Sequence, residues 1–357
     1  MMYLYFGTFT GGFMGGAPSE GIYVWQFDPD SLEARPVQTV GGLFSPSFLC
    51  KHPTLPRLYA AERQLTADDN STGALATYAI GGDGQLSLLD RRSTEGAFTA
   101  HVNISADGRL LSVANPLGPT VTTFPVDANG VPGTAAANPR YEGKGARPRQ
   151  SAPWPHSSYT DPSGERLFVC DLGLDRVFIY DIDKASGSLT PAGQPFAQVS
   201  SGAGARHMAV HPSGQFLCVV NELDSTLSVF AYDAEAGSVI AVQTLSTLPA
   251  DFEGASQPAE VAFDAEGKYL YITNRGAETV TVFAFDETRG RATLSSWVPV
   301  GGDTPRHLAI APDGKFLLVA NQLSAEVAVF RRDPASGTLT DTGKRIPVPS
   351  VSCTVFG

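Results

Sequence analysis

The stretch RHLAIAPDGKFLLVAN (residues 306–321) decides the fold, because other segments of the chain repeat its design. It consists of an apolar strand, a Pro-Asp-Gly turn, and a second apolar strand that ends in Asn, the pattern of a β-hairpin. The clear copies are HVNISADGRLLSVAN (101–115), HSSYTDPSGERLFVCD (156–171), RHMAVHPSGQFLCVVN (206–221) and AEVAFDAEGKYLYITN (259–274), and a weaker copy without the glycine is SFLCKHPTLPRLYAAE (47–62).

The spacing of these hairpins predicts a closed repeat architecture. The turn glycines recur about every 50 residues, the length of one β-propeller blade. A second, outer hairpin marks each unit independently, as in YDIDKASGSL, FDETRGRATL and FRRDPASGTL. Seven outer hairpins but only six inner ones occur, and the strand-like segments 2–9 and 352–356 can supply the missing strands. We therefore predict an all-β chain, 1–357 as a single domain: a seven-bladed β-propeller of four-stranded antiparallel blades, closed by pairing of the N- and C-terminal strands.

Composition excludes several classes of partner. The 357 residues carry a net charge of −11, which argues against nucleic acid and anionic membranes as partners. No segment reaches the roughly 18 apolar residues that a membrane span needs. The four cysteines are widely spaced and form no CxxC pair, as expected of reduced thiols in a cytoplasmic protein. The sequence does not fix the oligomeric state.

Polar residues converge at one end of the inner hairpins. Positions about eight residues before and after the turn glycine lie together, at the end away from the turn. Because the first strand of each blade borders the central channel, these side chains should surround one mouth of it. Apolar or small residues would satisfy the fold there, but the chain has His101, His156, Arg206, His207, Glu222, Glu260, Arg275, Arg306, His307 and Gln322.

Four of these residues break the internal repeat and are the candidate catalytic groups. His156, Arg206, Glu222 and Arg275 each lack a full set of counterparts in the other blades. The alternative is that Glu222 and Arg275 form rim salt bridges between neighbouring blades.

Other polar residues have structural interpretations. His207 and His307 follow an arginine in two blades, which suggests packing. His211 falls near the opposite end of its strand. The Asn or Asp that closes each second strand is expected to bond backbone in the following turn; these residues are Asn115, Asp171, Asn221, Asn274 and Asn321. HExxH, Cys/His clusters, acidic calcium loops and GxSxG are absent from the sequence, so no metal and no cofactor are expected.

The segment 129–155 is the one long irregular insertion, either a solvated loop or a lid. It ends in a Pro-Trp-Pro run, in which Pro153 and Pro155 stiffen the approach to His156. Its basic residues are expected to be solvated, the alternative being that they attract a phosphorylated substrate; they are Arg140, Lys144, Arg147 and Arg149.

The whole chain resembles the seven-bladed propeller lactonases, a family that contains metal-independent 6-phosphogluconolactonase and the fungal-type 3-carboxy-cis,cis-muconate lactonizing enzyme. The resemblance rests on HSSYTDPSGERLFVCDLGLDRVFIYDID, GARHMAVHPSGQFLCVVNELDSTLSVF and GKYLYITNRGAETVTVF. It implies catalytic roles for the histidine that opens the third inner hairpin, the arginine that opens the fourth, the glutamate after its Asn, and the arginine of Asn-Arg-Gly. These are His156, Arg206, Glu222 and Arg275.

The chain departs from that family at two places. Trp154 stands where many bacterial members have the first histidine of Pro-His-x-His-Ser, and Ala262 replaces a histidine that often follows Ala-Glu-Ile. Both departures are expected near the channel mouth and bear on substrate identity. The expected substrate-binding residues are Trp154, His101, Glu260, Arg306 and Gln322.

These observations predict an enzyme for a small anionic lactone or carboxylate. The leading hypothesis is hydrolysis of a sugar lactone such as 6-phosphogluconolactone. His156 or Glu222 would activate water as general base, while Arg206 and Arg275 hold the anionic group and stabilise the oxyanion. The alternatives are a lactonizing or cycloisomerase activity on a carboxylated muconate, and a non-catalytic binding scaffold.

Overall fold

The computed structural model describes residues 1–68 and 71–357, and strands form nearly all of its regular structure. In chain order the strands are β1 (Met2–Thr8), β2 (Gly21–Phe27), β3 (Ala34–Gly41), β4 (Pro46–Lys51), β5 (Arg57–Glu62), β6 (Ala74–Ile80), β7 (Leu86–Ser93), β8 (His101–Ile104), β9 (Leu110–Asn115), β10 (Thr120–Pro125), β11 (Pro155–Thr160), β12 (Arg166–Asp171), β13 (Arg176–Ile182), β14 (Leu189–Gln198), β15 (Ala205–Val210), β16 (Phe216–Asn221), β17 (Thr226–Asp233), β18 (Ser238–Ser246), β19 (Gln257–Phe263), β20 (Tyr269–Arg275), β21 (Thr279–Asp286), β22 (Arg291–Pro299), β23 (Pro305–Ile310), β24 (Phe316–Asn321), β25 (Glu326–Arg332), β26 (Leu339–Pro347) and β27 (Val351–Phe356). Two short 3-10 segments span Thr10–Gly15 and Pro148–Gln150.

Within the described residues these strands form seven antiparallel sheets, the blades of a propeller. Blades 1 to 6 start at β4, β8, β11, β15, β19 and β23. Blade 7 has the order β27-β1-β2-β3, with Leu4 opposite Phe356 and Gly7 opposite Cys353. The first strands of successive blades contact one another around the axis. The predicted fold is confirmed, including the closure by one C-terminal and three N-terminal strands.

Blade 2 differs from the other blades in its outer strand. Its sheet has three regular strands, β8 to β10. The chain then runs back along β10 through isolated bridges that pair Val126 with Pro132, Thr123 with Ala137 and Thr120 with Arg140. The first half of the segment 129–155 therefore takes the place of a fourth strand, and is neither a lid nor a free loop.

The core lies between neighbouring blades. Between blades 3 and 4, for example, Phe168, Ile179, Met208, Leu217 and Phe230 pack together and are almost fully buried. Burial of each such side chain stabilises the fold by about 1.5–3 kcal/mol. The four cysteines are free thiols.

Four of the five residues that close the second strands have the expected structural role, with a difference in their partners, while the Asn321 amide has no hydrogen-bond partner among the described residues. The Asn221 amide donates to the hydroxyls of Thr226 and Ser228 on the next strand, at 2.8 and 2.9 Å. Asp171 accepts from backbone N–H groups, as expected for all five residues. Asparagine thus ties two strands of one blade together, because its amide can donate where a carboxylate cannot.

The turn glycines of the inner hairpins adopt the left-handed backbone region that favours glycine. Their φ angles lie between 70° and 73° at Gly108, Gly164, Gly214, Gly267 and Gly314. At Gly267 the neighbouring blade also leaves no room for a side chain, because His211 lies against it. The His211 Nε2–H donates to the Gly267 carbonyl at 3.1 Å. His211 therefore links blades 4 and 5 at the turn end of the hairpins, away from the polar mouth.

Replacing Gly267 by alanine should destabilise the protein by about 3 kcal/mol. The left-handed backbone alone costs an alanine about 1–2 kcal/mol, and the new Cβ would lie 2.1 Å from His211 Nε2. Gly343→Ala is the matched control, with a φ of +73° and no atom within 4 Å of its added Cβ. Urea denaturation of both variants measures the difference, and equal losses would show that the His211 contact adds nothing.

Candidate active site

In five of the seven blades a β-bulge aims one residue of the inner strand at the channel mouth. The ladder between the first two strands skips His156 in β11, Arg206 in β15 and Arg306 in β23. A bulged residue leaves the ladder and its side chain is re-aimed. The same skip occurs at Ser47 and Ser352. The fold thus presents five bulged side chains, each from a different blade, to a common space.

These bulged residues surround a cavity of about 410 Å³. All four candidate catalytic residues line it, as do Trp154, Glu260 and Arg306. His101 and Gln322 do not. The structure therefore brings together seven of the nine residues expected at the site.

Glu222 lies between two arginines. Its Oε2 accepts from Arg206 Nε and from Arg275 Nη2, both at 2.8 Å. Burial alone would raise the pKa of Glu222, but Arg275 and Arg206 outweigh it and lower that pKa to about 2. Glu222 is therefore ionised throughout the neutral range and is a weak proton acceptor.

Backbone carbonyls hold the two arginines in place. Arg206 Nη1 donates to the Ala259 carbonyl, and Arg275 Nε donates to the Gln257 carbonyl at 3.0 Å. Burial lowers the pKa of Arg206 to about 10, with Arg275 contributing, so its guanidinium is still charged at neutral pH. The site therefore presents two oriented cations to the cavity.

Arg306 is a third cation of a different kind. Its Nη1 donates to Gln322 Oε1 at 3.2 Å, and its Cζ lies 4.9 Å from the centroid of the Phe9 ring. Within residues 1–68 and 71–357 it has no carboxylate partner. Burial, Arg275 and Arg206 lower its pKa well below the usual value. Glu222 acts against this lowering from a distance, and a desolvated guanidinium that no carboxylate contacts is well suited to bind an anion.

Gln322 acts behind Arg306. Besides accepting from Arg306, its Nε2 donates to the Met14 carbonyl at 3.3 Å. It therefore positions the guanidinium and the loop after β1, and lines a neighbouring groove instead of the main cavity.

His101 lies one layer behind the cavity wall. It is almost fully buried, and its ring lies 4.2 Å from the Phe48 ring and 4.9 Å from that of Tyr159, centroid to centroid. His101 precedes its turn glycine by seven residues, as His207 and His307 do, but β8 lacks the bulge that precedes those two residues. The geometry does not support direct contact between His101 and a substrate.

His156 presents an uncharged imidazole to the cavity. Burial lowers its pKa well below the usual value, and Arg206, His207, Arg306 and His101 lower it further. Among the described residues, its Nδ1 has no hydrogen-bond partner. At neutral pH the ring therefore has a nitrogen lone pair available for a proton.

His207 and His307, which the repeat marked as packing residues, also line the cavity and flank Glu260. His207 Nδ1 lies 3.1 Å from each Glu260 carboxylate oxygen, and His307 Nε2 lies 3.4 Å from Oε2. The signal for this cluster was available, because the residue seven before the turn glycine is His, Glu and His in three consecutive blades.

An aromatic wall faces the arginines. Phe9 and Phe13 come from the loop after β1, Phe98 from the loop before β8, and Phe48 from the first strand of blade 1. The Arg149 guanidinium stacks over the Trp154 ring at 4.4 Å, a cation–π contact. Sequence reasoning missed the loop aromatics, because the loops lie outside the repeat.

The chain is similar to known proteins of one family over almost its whole length. Residues 3–356 match the family described as lactonase, 7-bladed beta-propeller. The chain belongs to this family. It is 28% identical to the 6-phosphogluconolactonase of Bacillus subtilis, over 84% of this chain and 82% of the relative. It is 32% identical to that of Serratia proteamaculans, over 79% of each chain.

Solved structures of lactonase relatives superpose over the whole length. A periplasmic gluconolactonase of Pseudomonas aeruginosa has a TM-score of 0.91 and 30% identity, covering 99% of this chain and 98% of its own. A putative 6-phosphogluconolactonase of Bacteroides fragilis has a TM-score of 0.89 and 28% identity, with coverage of 100% and 98%. The resemblance seen in the sequence is confirmed.

The two residues at which the chain departs from the pattern of this lactonase family, Trp154 and Ala262, lie in different parts of the structure. Trp154 lines the cavity. Ala262 does not: it pairs with Tyr271 in blade 5 and packs against the core between blades 5 and 6. The expectation that both lie near the mouth is wrong for Ala262, because its place on β19 is past the bulge and inside the regular ladder.

Membrane-spanning helices and groups of metal ligands are two further features that bear on function. No helix within residues 1–68 and 71–357 has the length and hydropathy to cross a membrane. In that same part of the chain, no three His, Cys, Asp or Glu side chains are grouped so that they could hold a metal ion.

Proposed function

We propose that this protein hydrolyses a sugar lactone, with 6-phosphogluconolactone as the first candidate. The observation that carries the proposal is the group Arg206–Glu222–Arg275 beside the neutral His156 in one cavity. Two relatives named 6-phosphogluconolactonase support the substrate. Four arginines line the cavity against two glutamates, so an anionic substrate is favoured there although the whole chain is acidic.

The arginines stabilise the charge that develops during the reaction. Addition of water to the lactone carbonyl places negative charge on its oxygen. Arg206 and Arg275 line the cavity with guanidinium groups that Glu222 and backbone carbonyls hold in place, and such pre-oriented donors are among the largest contributions to catalysis. Glu222 serves to orient the two arginines, because one of its oxygens, Oε2, accepts hydrogen bonds from both.

His156 is the general base in this proposal. The sequence left His156 and Glu222 as alternative candidates for the general base. Glu222 is held ionised by its arginines and accepts a proton poorly. His156 instead takes a proton from the attacking water and returns it to the ring oxygen when the acyl C–O bond breaks. Its neutral state supplies the lone pair that this step requires.

Arg306 binds the phosphate in this scheme. Arg306→Met should raise KM for 6-phosphogluconolactone about tenfold, because a hydrogen bond to a charged group contributes about 1.5–3 kcal/mol. KM for unphosphorylated gluconolactone should stay within about twofold of the parent. Steady-state kinetics on the two lactones measures the difference. An equal rise of KM for both lactones would show that Arg306 does not bind the phosphate.

A substrate panel tests the proposed reaction. The purified protein is incubated with 6-phosphogluconolactone, gluconolactone, muconolactones and carboxylated muconates, and the products are identified by NMR. Ring opening of the sugar lactones supports the proposal. Lactone formation from a muconate alone would favour the cycloisomerase alternative, and inactivity on the whole panel would favour a binding scaffold. Hydrolysis that persists at full rate after chelator treatment is the result expected of metal-independent catalysis.

We also propose a cytoplasmic location. The four free thiols fit a reducing compartment,. Cell fractionation tests this point, since the Pseudomonas aeruginosa relative is described as periplasmic.

A further inference from the structure

Two histidines flank one carboxylate behind the base, and one of them, His207, is hydrogen-bonded to it. The Thr354 N–H donates to His307 Nδ1 at 3.3 Å, so the His307 proton is on Nε2 and faces Glu260. His207 Nδ1 lies 3.1 Å from both Glu260 oxygens and must donate, because an ionised carboxylate only accepts,. The tautomers of both rings are therefore fixed.

This arrangement leaves a lone pair on His207 Nε2. That nitrogen is buried and, among the described residues, has no partner. His156 Nδ1 is also buried and unpaired. The two rings are neighbours, with centroids 5.0 Å apart and an interplanar angle of 61°. Buried polar groups without partners cost free energy, and here one N–H facing one lone pair would satisfy both nitrogens.

We propose that His156 donates its Nδ1–H to His207 Nε2, directly or through one water, and that Glu260 fixes His207 to receive it. The proposal rests on the function of His156 as the base. It makes His207 and Glu260 positioning residues. The chain Glu260–His207–His156 then leaves the lone pair of His156 on Nε2, available to the attacking water.

The relay gives a buried histidine the counter-charge that it otherwise lacks. When His156 Nε2 takes the proton of water, the ring becomes a cation beside Arg206 and Arg306, which both disfavour it. The Glu260 carboxylate stabilises this cation through His207. The proton stays on His156 Nε2 until it transfers to the leaving ring oxygen, so the N–H bonds of His207 and His307 stay as they are.

Several charged or titratable groups face the relay. Burial raises the pKa of Glu260, while His307 and Arg206 lower it. Burial lowers the pKa of His207, with Arg206, His307 and Arg306 acting in the same direction and Glu222 against them. His101 contacts His207 at 5.3 Å between ring centroids. Replacement of Glu260 should therefore alter the protonation of the neighbouring imidazoles before that of other groups.

Nitrogen-15 NMR of the imidazole groups tests the proposal without any substrate. The chain has six histidines. Variants that each lack one histidine assign the NMR signals to the individual residues. In the parent protein between pH 6 and 8, His156 should be the neutral Nδ1–H tautomer. His207→Phe removes the acceptor, and Phe48 shows that a phenyl ring fits the corresponding position of blade 1. His156 should then shift towards the Nε2–H tautomer, which imidazole favours in water.

Kinetics gives a second readout. His207→Phe and Glu260→Gln should lower kcat for the lactone about 10²-fold, in the range of acid–base contributions, with KM within about threefold. Loss of the Glu260 charge makes His156 harder to protonate, so the acid limb of kcat/KM should move to lower pH. Glu260→Asp should recover part of kcat. His211→Gln removes a buried imidazole at the other end of the hairpins and should leave kcat unchanged.

The outcomes separate this inference from the proposed function. An Nε2–H tautomer for His156 in the parent protein, or unchanged His156 shifts in His207→Phe, overturns the relay even if the protein is an active lactonase. An Nδ1–H tautomer that depends on His207 supports the relay. Absence of lactonase activity in the parent protein overturns the proposed function while the NMR result still stands.

Discussion

Replacement of Arg275 by methionine should lower kcat/KM for the sugar lactone about 10³-fold and leave the fold intact. Loss of one oxyanion donor costs about 10²–10³-fold in kcat, and Arg275 also holds Glu222 in place through its 2.8 Å bond. The side chain lies at the cavity surface and is one-tenth exposed, so methionine fits without opening the core. Steady-state kinetics and a circular dichroism spectrum measure the two results.

Two further variants make the Arg275 result specific. Arg275→Lys keeps the charge but cannot donate at once to the Gln257 carbonyl and Glu222, so an intermediate loss is expected. Arg289→Met removes an arginine that is largely exposed and paired with Asp286, and kcat/KM should not change. Near-normal activity of Arg275→Met would show that the oxyanion assignment is wrong.

Replacement of Glu222 by alanine should lower the free energy of unfolding by about 3–5 kcal/mol, the usual cost of breaking a buried ion pair from one side. Arg206 and Arg275 would then face each other without the carboxylate that they share. Activity should fall at least 10²-fold because both donors lose their orientation. Urea denaturation at pH 7 measures the stability.

The stability effect of Glu222 should depend on pH in a defined window. Its pKa is lowered from 4.5 to about 2 in the folded protein. A carboxyl group whose folded pKa is depressed stabilises the fold above its unfolded pKa, and this contribution is lost as the pH falls through the folded value. The gap in stability between the parent protein and Glu222→Gln should therefore shrink from pH 4.5 towards pH 2, and a constant gap would contradict the ion-pair account.

The buried pair Arg332–Asp264 is the matched control for Glu222. It lies at the turn end of the hairpins, where Arg332 bonds Asp264 and the Gly314 carbonyl. Asp264→Asn should cost comparable stability and leave kcat unchanged below the unfolding temperature. An equal loss of activity would mean that lower stability alone explains the Glu222 result.

The repeat made the fold predictable from the sequence. One hairpin design in six copies, five of them with glycine in the left-handed region at the turn, specifies both the blade and its length. The closure was predictable because the segments 2–9 and 352–356 resemble strands that the other blades have. The outer strand of blade 2 was not, because residues 132–140 carry no alternating pattern and pair through isolated bridges only.

The site was predictable only as far as the repeat extends. Counting eight residues back from the turn glycine finds His156, Arg206 and Arg306, because the bulge falls at that position in these three blades. Counting seven finds His101, His207, Glu260 and His307, of which the last three line the cavity and His101 does not. The count measures distance along a strand but does not show whether a bulge precedes the residue, and β8 has none before His101.

The aromatic wall could not be predicted in this way. Phe9, Phe13 and Phe98 reach the cavity from loops whose paths are set by tertiary contacts, such as the bond from Gln322 to the Met14 carbonyl. Trp154 was noticed only because it departs from the family pattern. Residues that shape substrate choice thus lie mostly outside the repeat, whereas the charged groups lie within it.

The rate of 6-phosphogluconolactone opening in H₂¹⁸O tests the central claim most directly. The purified protein should open the lactone with a kcat in the common range of about 1–10³ s⁻¹, well above the spontaneous rate measured beside it. Mass spectrometry should find one ¹⁸O in the new carboxylate, and Arg275→Met should return the rate almost to the spontaneous one. If the product forms at the spontaneous rate with and without the protein, the cavity is not a site for hydrolysis of this lactone.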